Sequence, residues 1–158
     1  MVSASSWPPR SPSVLAAVMA TCAKFPDRPE FVYRVAKQEF TVDYAKLRED
    51  VILLARAFEE RKITRGCRVM LLSDNRYAWI VSDLALMAFG AVSVPRGSET
   101  QTQELEFILN HARCSSLVVD NDALLPPHQQ ILCIQKSVKP HIILRPRNKY
   151  SPFQPLSS

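Results

Sequence analysis

Arg96, Asp120 and Asp122 are polar side chains that this sequence sets at the ends of apolar runs, where α/β proteins do much of their chemistry. Arg96 follows Pro95 at the close of "AVSV" and is the best placed of the three; an exposed or ion-paired loop arginine is the plainer reading. Asp120 closes "SLVVD" and Asp122 follows two residues on, at a strand end where catalytic carboxylates often stand, but the same residues cap turns, and that role is expected here. Phosphate chemistry at such an edge needs backbone N–H groups that can crowd an anion, and glycine makes that approach possible. The chain has three glycines, Gly66, Gly90 and Gly97, each isolated. Neither G-x-G-x-x-G nor a Walker loop can be written anywhere, and no G-x-S-x-G elbow occurs. Trp79 and Phe89 fall in an apolar helix and are expected in the core. Cys22, Cys67, Cys114 and Cys133 lack metal-ligand spacing, and His111, His128 and His141 are scattered, which argues against a zinc site. Reduced thiols in a cytoplasmic protein are the simpler account.

The elements that must carry these residues alternate. After a loose Ser/Pro-rich start (1–12), a helix is expected over about 13–24, with Val14, Leu15, Val18 and Cys22 along one face. "SVLAAVMATCAK" also has the look of a short export signal, but one basic residue, three prolines and Thr21 before the cysteine argue against it. Pro26 and Pro29 break the helix. "FVYRVAKQEFTV" reads as a hairpin. Leu47, Val51, Leu54 and Phe58 then step by four, three and four along one helical face, with Asp43 as cap. "RVMLLS" reads as a buried strand; Ser73, Asp74 or Asn75 caps the apolar helix that follows, and Gly90 ends it in a left-handed turn. "AVSV" is a strand closed by Pro95. Thr100 and Gln103 have capping-box spacing, ahead of a stripe of Leu105, Ile108, Leu109 and Ala112, with His111 and Arg113 at the helix end. "SLVVD", a short helix in "HQQILCIQKSV" and a last strand "HIIL" complete the series. Strands alternating with helices predict an α/β fold, a partial, mostly parallel sheet flanked by helices, with an N-terminal hairpin. Order is expected over 13–145, followed by a basic, Pro-containing tail at 146–158.

The chain has 158 residues, 47% of them apolar, which is globular composition. No apolar run approaches the roughly 18 residues of a spanning helix, so a soluble protein is expected. The net charge of +5 is placed unevenly. Residues 1–122 hold all 15 acidic side chains and balance them with basic ones, while Lys136, Lys139, Arg145, Arg147 and Lys149 stand in an acid-free stretch. Such a stretch could meet nucleic acid or an anionic membrane. It lacks an aromatic platform among its charges, with Tyr150 and Phe153 only at its border, so a solvated end is expected.

"GCRVMLLSDNRYAWIVSDLALMAFGAVSVPRGSETQTQELEFILNHA" resembles the N-terminal part of the AMP-forming acyl-CoA synthetases, and among them is most similar to the long-chain fatty acid ligases. "KFPDRPEFVYR" and "FTVDYAKLREDVILLARAF" match the segments upstream, and "SSLVVDN" and the stretch from Leu132 to Leu144 continue the pattern more weakly. The resemblance implies a family reaction in which ATP and Mg²⁺ turn a carboxylate into an acyl-adenylate, whose acyl group then passes to coenzyme A. It also implies that the phosphate loop, the adenine-binding segment, the hinge and the catalytic lysine all follow the matched region. No catalytic, cofactor-binding or metal-binding residue is therefore expected here, and no cofactor is expected for these residues alone. The expected whole is a truncated long-chain fatty acid–CoA ligase, inactive by itself. The alternatives are a binding module that pairs with a separately encoded C-terminal remainder or self-associates through its open sheet edge, and a nucleic-acid or membrane-surface protein that uses the basic stretch of residues 136–149. Nucleic acid is not expected as a partner, and a membrane at most peripherally. The family usually has glycine at Lys62 and aspartate at Cys67; lysine at the first must bear positive φ or send the chain out differently.

Overall fold

The computed structural model describes residues 13–35, 37–119 and 139–143. The chain divides into two units, residues 1–48 and 49–158.

In the first unit, α1 (Val14–Lys24) starts at Ser13, whose Oγ accepts from the N–H of Ala16 at 3.1 Å. Cys22 is buried at 1% exposure, but Val14 is 64% exposed, so the expected stripe is narrower than its spacing suggested. Pro26 stops the helix, yet its carbonyl is used: it accepts from Ala45 N–H at 2.9 Å. β1 (Pro29–Val35) and β2 (Gln38–Asp43) form the expected antiparallel hairpin, with Tyr33 and Phe40 stacked across it at 5.5 Å. Lys37 takes φ 70° in the turn.

α2 (Tyr44–Glu60) begins as expected, with Asp43 Oδ1 accepting from the N–H of Lys46 at 2.7 Å. Its four stepping residues, Leu47, Val51, Leu54 and Phe58, are all buried. Full burial of a side chain such as Phe58 contributes about 1.5–3 kcal/mol.

The second unit is built on a parallel four-stranded sheet of order β4-β3-β5-β6, made of β3 (Arg68–Leu72), β4 (Val92–Arg96), β5 (Ser116–Val119) and β6 (Lys139–Ile143). β3 lies inside it, and from Val69 to Leu72 every residue is buried, as a strand covered on both faces requires. Met70 and Leu72 point to one face with Leu117 and Val119, where Leu105, Ile108 and Leu109 of α4 (Thr102–His111) and Cys114 close the cluster. α3 (Tyr77–Ala88) is well covered as expected, with seven buried residues from Tyr77 to Leu86, and Gly90 follows it at φ 64°.

Three local expectations fail. Pro95 does not close β4 but sits within it, opposite Leu71. Val92 N–H donates to Cys67 O, and Ser73 N–H donates to Arg96 O, so the even-numbered residues of β4 face β3. The donor that Pro95 lacks would have faced away from the sheet, the one place an edge strand tolerates proline. Neither α3 nor α4 is capped by a side chain; their N-caps are Arg76 and Gln101. The hydroxyl of Thr100 donates instead to Gly97 O at 2.8 Å, a local turn that competes with the capping box. The expected helix between β5 and β6 and the tail at 146–158 lie outside the described residues.

Candidate functional site

The chain passes from β3 to β4 on one side, then crosses to β5 on the other. The switch between β3 and β5 is where open α/β sheets form a crevice beyond their carboxyl ends. Two segments reach that edge within the described residues: Ser73 to Arg76 after β3, and Gly97 to Gln101 after β4.

These segments are tied together. The Asp74 carboxylate accepts through Oδ1 from both the hydroxyl and the N–H of Ser98, the latter at 3.2 Å. Those two bonds hold the Asp74 carboxyl below the ordinary aspartate range. Beneath them, Ser73 N–H donates to Arg96 O at 3.0 Å, and the buried Ser73 hydroxyl donates to Asp74 O at 3.1 Å. Arg96 is half-buried rather than a free loop residue. Its Nη1 donates to the carbonyl of Pro95 at 2.7 Å, while Nε is buried without a hydrogen-bond partner.

Among the described residues, this edge does not fit a nucleotide phosphate. The N–H of Ser98 is spent on Asp74 and that of Thr100 on Gly97 O at 3.1 Å, so two donors an anion would need are taken. An ionised Asp74 beside them repels phosphate. Gly97 does not supply a special approach: a Cβ there would meet nothing within 4 Å. The residues from 73 to 76 and from 96 to 101 include no histidine, cysteine or lysine, and the one hydroxyl set against a carboxylate, Ser98 on Asp74, ties the two loops together. The arrangement is a latch that fixes two loops, and no chemical step is derived from it.

Among the other residues singled out by sequence, Trp79 and Phe89 are half-buried at the helix surface rather than deep in the core. Asp120, Asp122, Cys133 and His128 lie outside the described residues. Cys22, Cys67 and Cys114 form no disulfide, and burial raises the pKa of Cys22 and of Cys114. No group of three metal-binding side chains comes together among the described residues. Sequence reasoning missed a buried pair below the latch: Tyr77 OH donates to Asp50 Oδ2 at 2.9 Å, with Asp50 fully buried. The two stand 27 residues apart, and the one visible signal was an aspartate inside the apolar stripe of α2.

The AMP-binding enzyme family model matches residues 18–155. A chloroplastic long-chain-fatty-acid–[acyl-carrier-protein] ligase of Arabidopsis thaliana, AEE15, is 30% identical over 102 residues, 65% of this chain and 14% of that protein. A mitochondrial medium-chain acyl-CoA ligase of Mus musculus, ACSF2, is 29% identical over 99 residues, 63% of this chain and 16% of that protein. The chain thus spans about one-seventh of the length of these relatives. The crystal structure of an anthranilate CoA ligase, AuaEII, in complex with anthranoyl-AMP, superposes with a TM-score of 0.73 at 17% identity, over 86% of this chain and 25% of that one. The parallel sheet and the order of its elements have their counterpart in that structure, and with the family model covering most of the sequence the chain belongs to the AMP-binding enzyme family.

Proposed function

We propose that these residues are the N-terminal scaffold of a fatty acid-activating ligase. In such an enzyme ATP and Mg²⁺ convert a medium- or long-chain carboxylate to its adenylate, and the acyl group then passes to coenzyme A or a carrier protein. Residues 1–158 by themselves do not adenylate. The observation that supports this reading is the state of the described carboxyl edge: the N–H groups of Ser98 and Thr100 are spent on Asp74 and Gly97, and the Asp74 carboxylate stands beside them. A reduced, cytoplasmic setting goes with it, in keeping with three cysteines that form no disulfide. The test is ATP–pyrophosphate exchange with a series of fatty acids. No exchange is expected from the purified chain. Exchange is expected when the chain is joined to the remainder of a relative, and the chain-length profile then reads out the substrate. Exchange by residues 1–158 alone would overturn the reading.

A second reading is a non-catalytic module that pairs with a separately encoded polypeptide. Ile52 and Leu53 favour it, since both are exposed on α2 beside its buried stripe, at 41% and 40%. Recovery of a monomer that melts cooperatively with no partner present counts against this second reading.

A further inference from the structure

At the end of the sheet opposite the latch, four exposed cations stand on two of the three helix-to-strand connections that meet there. Lys62 and Arg65 lie between α2 and β3, Arg68 opens β3, and Arg113 lies between α4 and β5. Backbone bonds hold these connections side by side. Gly66 N–H donates to Gly90 O at 3.0 Å, Val92 N–H to Cys67 O at 2.8 Å, and Ser115 N–H to Arg68 O at 2.8 Å. The stem of Arg65 runs across the turn between α3 and β4, its Cγ 3.4 Å from where a Cβ on Gly90 would stand. Glu59 and Glu60, in the last turn of α2, offset part of this charge and leave it positive. Met87 and Val92 are exposed at the same end, at 37% and 48%. By register, Lys139 begins β6 there as well.

Helix dipoles account for cations at the ends of α2 and α4, and so for Lys62 and Arg113. They do not account for Arg65 and Arg68, which lie on a loop and a strand. Nor do they explain why Lys62 and Arg113 occupy positive-φ positions, 60° and 52°, that glycine fills at less cost. We propose that this end of the sheet docks on an anionic lipid bilayer, the cations meeting headgroups while Met87 and Val92 enter the boundary. Nucleic acid is the poorer match, because aliphatic side chains give bases nothing to stack on. The inference stands on the cluster and not on the acyl-activating reading, so its test needs no activity.

The full chain is sedimented with vesicles of phosphatidylcholine and phosphatidylglycerol in equal parts, and with phosphatidylcholine alone. Binding is expected to the first only, falling as salt rises. The decisive variant is Lys62→Gly with Arg113→Gly, which removes two cations and places glycine where the backbone favours it. Each cation near an anionic surface is worth about fivefold in binding, so a loss of roughly 30-fold is expected with the fold intact by circular dichroism. A second variant, Arg65→Gln with Arg68→Gln, should lose a similar factor. Three outcomes would each overturn the proposal: equal binding to neutral vesicles; undiminished binding by both variants, which would shift the role to the basic stretch of residues 136–149; or binding to RNA or an acidic peptide with none to vesicles.

Discussion

Asp74 and Ser98 are both polar residues of surface loops, 24 positions apart, and it is their pairing that gives the carboxyl edge its character. A charge-assisted bond at an exposed site contributes little after solvent screening, about 0.5–1 kcal/mol. A double-mutant cycle of Asp74→Ala and Ser98→Ala, followed by urea unfolding, should return a coupling of about that size near neutral pH. The pH dependence has a fixed sign. Ser98 lowers the Asp74 pKa in the folded state, so the contribution is complete above the unfolded value of about 3.9 and fades as pH falls through the lower folded value. A coupling that grew on acidification would contradict the latch. Glu30 behaves in the opposite way. Burial raises its carboxyl pKa, and Oε2 is buried without a hydrogen-bond partner. Its ionisation therefore costs stability once pH rises above the unfolded value of about 4.3. Glu30→Gln should raise the Tm at neutral pH and leave it nearly unchanged below that value, as read by thermal melts across the range. At Lys62 the family resemblance had left two outcomes open, and the backbone takes the strained one at φ 60°. Lys62→Gly should therefore stabilise the fold by about 1 kcal/mol, seen as a higher urea midpoint with an unchanged slope.

The elements divide into those that local pattern could specify and those that depended on a distant partner. The α2 stripe was readable because a helical period and full burial coincide in Leu47, Val51, Leu54 and Phe58. β3 was readable because a short apolar run with Arg68 on one side and Ser73-Asp74-Asn75 on the other has few alternatives to a buried strand. The caps were not. Thr100 and Gln103 have the right spacing, but Thr100 finds a nearer acceptor in Gly97 O, and spacing alone cannot rank two competing bonds. The Asp50–Tyr77 pair was likewise hidden, since residues in α2 and α3 meet only when the fold brings them together. That pair carries its own prediction. Tyr77→Phe keeps the ring and its burial but takes a hydrogen bond from a fully buried carboxylate. The cost should be about 1–3 kcal/mol in chemical denaturation. A change within a few tenths of zero would mean that Asp50 draws its stabilisation from other groups.

At the scale of the whole molecule, a parallel sheet with an open edge is a template for further pairing unless something blunts it. Among the described residues, β4 is such an edge. Proline within a strand is normally a reason to end it, and its presence at position 95 was read that way from sequence. The hydrogen bonds of Val92 and Arg96 give the reason it survives: the side of β4 that Pro95 leaves without a donor is the side facing away from β3. Ser93 is then left as the outward N–H donor within β4, and a second strand could not build a regular ladder on it. Pro95→Val restores that donor and raises strand propensity at a stroke. The variant should keep the parental circular dichroism spectrum at low concentration and gain mass with concentration in sedimentation equilibrium, whereas the parent should change far less. Association of parent and variant to the same degree would mean that contact runs through another surface, with the exposed Ile52 and Leu53 of α2 the next to substitute.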